Sequence, residues 1–481
     1  MLLTLVLVYL LATVGVGLWA ARRVKTTADF AVAGKNLPLI MIVTTTFATW
    51  FGSETVMGIP AKFVQGGLNG VVEDPFGAGF CLILVGVFFA AKLYKMDLLT
   101  ISDYYRERYG RVVEVGCSLI IMLSYLGWVS AQVTALGLVF HLLSGGTISV
   151  AMGMVIGVVS ILAYTLFGGM WSVAVTDFIQ MIILVAGLAI LAVFAGQMAG
   201  GADKVIDFAV SRDLFKFWPE PSLHDMLFFF AAAITMMLGS IPQQDVFQRV
   251  MSANSVSAAT KGPVIGGAMY ILFAFVPMFL VASALIIMPE QTQALLADDP
   301  QKILPTLVME KMPFAMQVLF FGALLSAIKS TASATLLAPS VTFTENIWRQ
   351  FVPRTSDRQE LLTMRITVLV FSACVLAYSI AMEGTSIYEL VSGAYQVPLV
   401  GAFVPLVFGL YWKRASTQGA IAAVIAGIGT WLAVMYTPWA EVFPAQLAGV
   451  LASMAGMVVG SLAPQWIANR HASHHPLVRS A

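Results

Sequence analysis

The sequence predicts an all-α polytopic membrane protein, and three observations carry that prediction. The chain is 59% hydrophobic and only 11% charged, where soluble domains carry roughly 25% charged residues. Apolar runs of about 20 residues, each long enough to cross a bilayer, recur about thirteen times with short connections. Two of those runs are interrupted by polar residues at corresponding places, the mark of discontinuous membrane helices. Length alone would suggest about three soluble domains; the recurrence of apolar segments points instead to one membrane domain.

The expected spans are 2–21, 37–59, 74–94, 112–142, 147–167, 173–198, 224–246, 262–288, 313–346, 362–383, 386–411, 417–437 and 444–467. Segments 112–142 and 313–346 exceed the bilayer thickness and must tilt or protrude. Met1 to Ala20 lacks a basic start and a small-residue cleavage pattern, so it reads as a retained first helix rather than a signal peptide. Cys81, Cys117 and Cys374 lie in apolar runs, which gives no disulfide framework or metal cluster. His471, His474 and His475 sit in a polar tail and read as a solvated end. A net charge of +1 offers nothing to nucleic acid.

Orientation follows from the loop cations, because cytoplasmic loops are enriched in Lys and Arg. With the N-terminus outside, inner loops hold Arg22, Arg23, Lys25, Lys35, Lys92, Lys95, Arg106, Arg108, Arg111, Arg249, Lys261, Arg349, Arg354, Arg358, Arg365, Lys413, Arg414, Arg470 and Arg479. Outer loops hold Lys62, Lys204, Arg212, Lys216, Lys302 and Lys311. That is 19 against six, with Lys329 inside a span accounting for the last of the 26. The expectation is an N-out, C-in protein of the plasma (inner) membrane.

The first interruption is Thr46-Phe47-Ala48-Thr49-Trp50-Phe51-Gly52-Ser53-Glu54. Unpaired backbone groups cost several kcal/mol each in hydrocarbon, so irregular backbone survives only inside protein or along a wet cavity. An ionisable residue at that depth, here Glu54, is a functional-site hypothesis by default. The second interruption is Gly239-Ser240-Ile241-Pro242-Gln243-Gln244-Asp245, five spans later. Five is odd, so the second unit is inverted in the membrane relative to the first. The repeat is placed at 37–198 and 224–411, with an extra helix and loop in 1–36, two helices in 412–467 and a cytoplasmic tail in 468–481.

Polar residues within other spans add to the site. Ser326, Ser330, Thr331 and Ser333 break the middle of span 313–346. They offer hard oxygen ligands for an alkali cation, or simply bond back to carbonyls of their own helix. Lys329 lies among them; at that depth it needs a partner, with Asp177, Glu54 and Asp245 as candidates, or it snorkels to an interface. Asp177 either attracts a departing cation or complements the positive end of its own helix. Trp50, Trp128, Gln132, Gln243, Tyr395 and Gln396 fall where they could meet centrally. Aromatic faces with a nearby acid favour a cationic or zwitterionic solute. Nucleotide-loop, zinc-protease and triad patterns do not occur, and the chain is not read as an enzyme.

From about Thr26 to Arg414 the chain resembles the sodium/solute symporter family. The resemblance rests on Leu166-Phe167-Gly168-Gly169-Met170-Trp171-Ser172-Val173 with Thr176, Asp177 and Gln180, on Ile241-Pro242 with Gln244, Phe247-Gln248-Arg249 and Ser252, and on Ser330-Thr331 with Ser333. Thr49-Trp50 and Ile241-Pro242 read nearest to its choline-carrier branch. The resemblance implies a leucine-transporter-like five-plus-five inverted repeat and alternating access driven by a sodium gradient. It implies sodium held by the carbonyls of Ala48, Phe51 and Ala327 and the hydroxyls of Ser330 and Thr331, with Asp177 on the ion's route. By the resemblance the solute would sit near Trp50, Trp128, Gln243 and Tyr395. Glu54, Gln132, Gln244 and Gln396 are added from their places beside the interruptions. Asp245 and Lys329, which with Glu54 fall outside the family pattern, are placed in the ion pathway or coupling.

Two departures stand out. Gln243 replaces a tryptophan of the choline carriers, which removes one wall of an aromatic cage. Lys329 replaces a usually apolar residue, and an ammonium there would repel sodium or stand in for it. The expected function is therefore sodium-coupled symport of a small organic solute across the lipid bilayer. One alternative is a proton-coupled or sodium-independent carrier with Lys329 replacing the ion. Another is a membrane solute sensor, against which the lack of a soluble domain after Trp466 weighs.

Overall fold

The computed structural model describes residues 1–352 and 356–467. Arg354, Arg470, Arg479 and the three tail histidines lie outside them. Among the described residues the secondary structure is helical apart from an isolated parallel bridge between Leu37 and Ala253. Successive apolar elements are α1 (Leu2–Ala21), α2 (Leu39–Trp50), α3 (Ile59–Gly66), α4 (Asn69–Tyr94), α5 (Arg111–Leu143) and α6 (Val150–Met198). They continue as α7 (Leu223–Gly239), α8 (Gln244–Ser252), α9 (Val256–Ile287), α10 (Phe314–Gln350), α11 (Asp357–Ala381), α12 (Ile387–Tyr411), α13 (Thr417–Met435) and α14 (Ala445–Leu462).

Ten of the described helices are long and apolar enough to cross a membrane, or eleven if α7 and α8, bent by 45° at a short break, count as one span. The expected thirteen is not reached on that count for two reasons. At 12 residues α2 is too short by itself, and α6 runs through two expected spans as one element of 49 residues. At 1.5 Å per residue α6 is about 73 Å long, over twice the ~30 Å hydrocarbon core. It turns at Gly169, whose φ of 46° and ψ of −143° leave the helical region. A Cβ there would lie 2.4 Å from the Phe30 carbonyl oxygen, so the turn also lets the short helix Thr27–Val32 dock against α6.

The lipid-facing and core-facing sides follow from burial. In α1 and α13 only 22% of the membrane window is buried, against 67% in α12, so the first two are peripheral and α12 is central. α6 packs against α10, α1, α5 and α2. The two interrupted elements are tied at one end: Leu37 N donates to Ser252 O (3.0 Å) and Asn254 N to Leu37 O (2.9 Å). The segment entering α2 is thus joined to the segment leaving α8, so the two elements run in opposite senses beside each other. Arg249, expected in an inner loop, is instead 1% exposed inside α8.

Only glycine suits the turn at residue 169. Gly169→Ala should cost about 1–3 kcal/mol through backbone strain and the clash with Phe30, read as a lower melting temperature and a smaller folded fraction on size exclusion.

Candidate functional site

The site begins where α2 stops being a helix. Phe51 adopts φ −89°, ψ 70°, and the chain resumes as a wide helical turn over Glu54–Gly58 before α3. The end of a helix leaves carbonyls without intrahelical donors, and those of Ala48 and Phe51 belong to this exit. Side chains satisfy neighbouring groups. Ser53 N donates to Gln132 Oε1 (2.9 Å), and Thr55 Oγ1 donates to the Trp50 carbonyl (3.3 Å). Gly52 has no room for more: a Cβ would lie 2.5 Å from Glu54 Oε2, 2.7 Å from Thr331 Oγ1 and 2.9 Å from Gln132 Oε1.

Glu54 is 2% exposed. Its carboxylate accepts from Trp128 Nε1 (3.0 Å) and Gln132 Nε2 (2.6 Å), and among the described residues no lysine, arginine or histidine forms an ion pair with it. Tyr125, Trp128 and Gln132 share one face of α5, at spacings of three and four residues. Tyr125 carries that face to the second interruption. Its hydroxyl donates to Asp245 Oδ1 (2.6 Å) and accepts from Asp245 N (2.8 Å). Asp245 stands in the first turn of α8, where a helix favours negative charge. Gln243, just before α8, donates to Ser124 Oγ (2.8 Å).

Three aromatic rings close the space between the interruptions. Ring centroids lie 5.5 Å apart for Trp50 and Trp128, 5.9 Å for Trp50 and Tyr395, and 5.4 Å for Trp128 and Tyr395. Tyr125 stacks on Trp128 at 6.1 Å. All four are buried. Among the described residues Tyr395 OH and Gln243 Oε1 have no hydrogen-bond partner, and the Trp50 indole lies within hydrogen-bonding reach of the Asp245 carboxylate. Buried polar atoms are ordinarily hydrogen-bonded, so this group, gathered round aromatic faces, is what a solute-binding centre provides.

A second centre lies one turn towards the start of α2. Asp177 on α6 accepts from Thr45 on α2 and from Ser330 Oγ on α10, the latter at 2.5 Å. Thr331 Oγ1 has no partner and faces Gly52. The four hydroxyls of this stretch of α10 thus divide. Ser326 bonds back to Gly322 O (2.7 Å) and Ser333 to Ser330 O (3.0 Å), the ordinary arrangement, while Ser330 and Thr331 do not. Arg249, legible in the sequence only as a loop charge, lies between the interrupted helices. It donates to Asp245 O (2.7 Å), to Thr45 O (3.4 Å) and to Thr49 Oγ1.

Several expected members lie elsewhere. Lys329 is fully buried, but it pairs with none of Asp177, Glu54 and Asp245 and does not snorkel. Its ammonium donates to Thr13 Oγ1 on α1 (2.6 Å) and lies 5.2 Å from the centre of the Tyr164 ring. Adjacent residues on a helix point about 100° apart, so Lys329 turns away from the face that holds Ser330. Gln244 accepts from Ile101 N (2.8 Å), and Gln396 accepts from Trp431 Nε1 (3.0 Å); neither is aimed between the aromatic rings. Tyr125, Ser124 and Thr45 were missed, and Thr49 was marked only as part of the first interruption, without a role. The spacing of Tyr125 from Trp128 and Gln132 was a usable signal, whereas nothing local marked Thr45.

The model of the "Sodium:solute symporter family" matches residues 30–427. The chain belongs to the sodium:solute symporter family. The symporter is 24% identical to "High-affinity choline transporter 1" of Caenorhabditis elegans, over 96% of this chain and 88% of that one. It is 29% identical to "High affinity choline transporter 1" of Homo sapiens, over 88% of this chain and 75% of that one. Its fold matches a solved "Na+-coupled sialic acid symporter" in a substrate-bound outward-open state, with a TM-score of 0.83 at 21% identity, over 96% of this chain and 97% of that one. The leucine-transporter-like architecture is therefore that of the symporter, and its activity is sodium-coupled symport of a small solute.

Because Lys329 faces α1, Lys329→Met should leave the sodium dependence of uptake within about twofold of wild type. Sodium titration of uptake in proteoliposomes checks this; loss of sodium activation in a folded variant would place the ammonium in coupling after all.

Proposed function

We propose that the symporter takes up a compact organic cation or zwitterion, held between Trp50, Trp128 and Tyr395 with its positive group towards Glu54 and Asp245. The observation that carries this reading is Glu54: a buried carboxylate beside the aromatic cluster, hydrogen-bonded by Trp128 and Gln132 and, among the described residues, without an ion-pair partner. A buried charge needs a partner, and a desolvated cation gains from both carboxylate and ring faces. An anionic solute fits less well. The guanidinium of Arg249 is engaged by Asp245 O, Thr45 O and Thr49, and Lys329 faces the other way. Gln243 supplies a polar contact through its Oε1, and Gln132 orients Glu54.

Sodium is assigned to the carbonyls of Ala48, Phe51 and Ala327 and the hydroxyls of Ser330 and Thr331. A hydroxyl has one donor and two acceptor sites. Ser330 gives its hydrogen to Asp177 and keeps lone pairs for an ion, and Thr331 Oγ1 is unengaged. Asp177 supplies negative charge beside them. An ion bound there holds the end of α2 against α10, and it shifts the conformational equilibrium only through its different affinity for the two states. The N-out, C-in orientation keeps its support with Arg249 removed from the inner loops, and uptake is inward across the plasma (inner) membrane. The repeat boundaries 37–198 and 224–411 remain our assignment.

Two measurements test this reading. Purified protein should gain thermal stability in sodium relative to potassium, because a ligand of the folded state stabilises it. Ser330→Ala with Thr331→Ala should abolish most of that gain and raise the half-saturating sodium concentration for uptake about tenfold or more; unchanged sodium activation would remove these two ligands. Glu54→Gln should weaken binding of a transported cation at least ~30-fold, measured by equilibrium binding, and equal affinity in the variant would exclude Glu54 as the cation's partner.

A further inference from the structure

A cavity of about 640 Å³ opens on the face that carries the connection between α6 and α7. Its floor includes Glu73, at the start of α4. That side chain is 6% exposed; Oε2 accepts from Ser392 Oγ (2.7 Å) and Oε1 has no partner. Trp218, Phe228, Phe229 and Tyr388 form the aromatic part of the lining. The Trp218 and Phe229 rings lie 5.6 Å apart. Asp213, Glu220 and Asp225 also line it, against two lysines that are already engaged: Lys62 with Glu389 (3.2 Å) and Lys216 with Glu220.

The floor connects to the central site through polar groups. Asp74 follows Glu73 and accepts from Tyr270 OH (2.5 Å). Tyr270 OH lies 2.9 Å from Thr55 Oγ1, which bonds to the carbonyl of Trp50. Asp74 Oδ2 has no partner either.

We propose that this cavity is a second, outer binding site for a compact organic cation, where solute is captured before it reaches the aromatic centre. The chemistry repeats that of the central site: a buried carboxylate with a free oxygen, several ring faces and a surplus of negative charge. The outer cavity opens to solvent, which screens its charges, so its affinity is the lower of the two. The proposal shares the cation reading of the central site and the orientation drawn from loop charges.

The test is equilibrium binding of radiolabelled tetramethylammonium to the purified full-length protein in sodium buffer. Wild type should show a tight and a weak component. Glu73→Gln and Trp218→Ala should each weaken the weak component about tenfold and leave the tight one unchanged. Trp218 is 59% exposed, so its truncation should leave the fold intact if Glu73→Gln does not. Trp128→Ala should remove the tight component and spare the weak one. If the central site does not take cations, wild type should show the weak component alone, still sensitive to Glu73→Gln and Trp218→Ala. A wild type without the weak component, or a weak component indifferent to both substitutions, overturns the outer site.

Discussion

The chain leaves the helix at Phe51 and Gly52 in the middle of a membrane-spanning element, and much of the site answers that departure. In hydrocarbon each freed backbone group must find a partner within the protein. Gln132 reaches from α5 to accept from Ser53 N, and Thr55 folds back onto the Trp50 carbonyl. The close approach of Glu54, Thr331 and Gln132 to Gly52 requires the absent side chain at that position. Gln132 then donates to Glu54, so one amide both repairs the backbone and orients the carboxylate. The proposed solute and ion centres would therefore share the same break.

That sharing gives a physical basis for coupling. Asp177 joins α6, α2 and α10 through Thr45 and Ser330, while Arg249 joins α8 to α2 through Thr45 and Thr49. An ion between the end of α2 and α10 would act on an element that also carries Trp50 and leads into Glu54. The residues that would feel sodium and those that would feel solute are at most a few positions apart along one chain segment. No long-range relay is needed, only a difference in how well two arrangements of α2 against α10 hold the ion.

The fold was legible because it depends on local composition. Apolar length reports spans, and Gly52, Gly239 and Pro242 inside such runs report the interruptions. Element counts were less secure. α6 reads as two spans because Gly168-Gly169 separates two apolar stretches, and the structure carries one element with a turn at that place. The site was legible in part. Trp50, Glu54, Trp128, Gln132, Gln243, Tyr395 and Asp245 come together, and Ser330 and Thr331, unlike Ser326 and Ser333, do not bond back to their own helix. Arg249 was read as a loop cation because a polar stretch after an apolar run looks the same whether it leaves the membrane or turns back into the protein.

The sequence by itself determined that the protein is helical and membrane-embedded, which two apolar runs are interrupted and which family motifs they bear. These are properties of segments, set by hydropathy, backbone preference and residue order. The tertiary structure alone decided where each polar side chain points. A rotation of 100° per residue puts Ser330 against Asp177 and its neighbour Lys329 against Thr13 of α1. It likewise sends Gln396 to Trp431 while Tyr395 joins the aromatic centre. Composition cannot separate neighbours of this kind, because what distinguishes them is the helix each one faces.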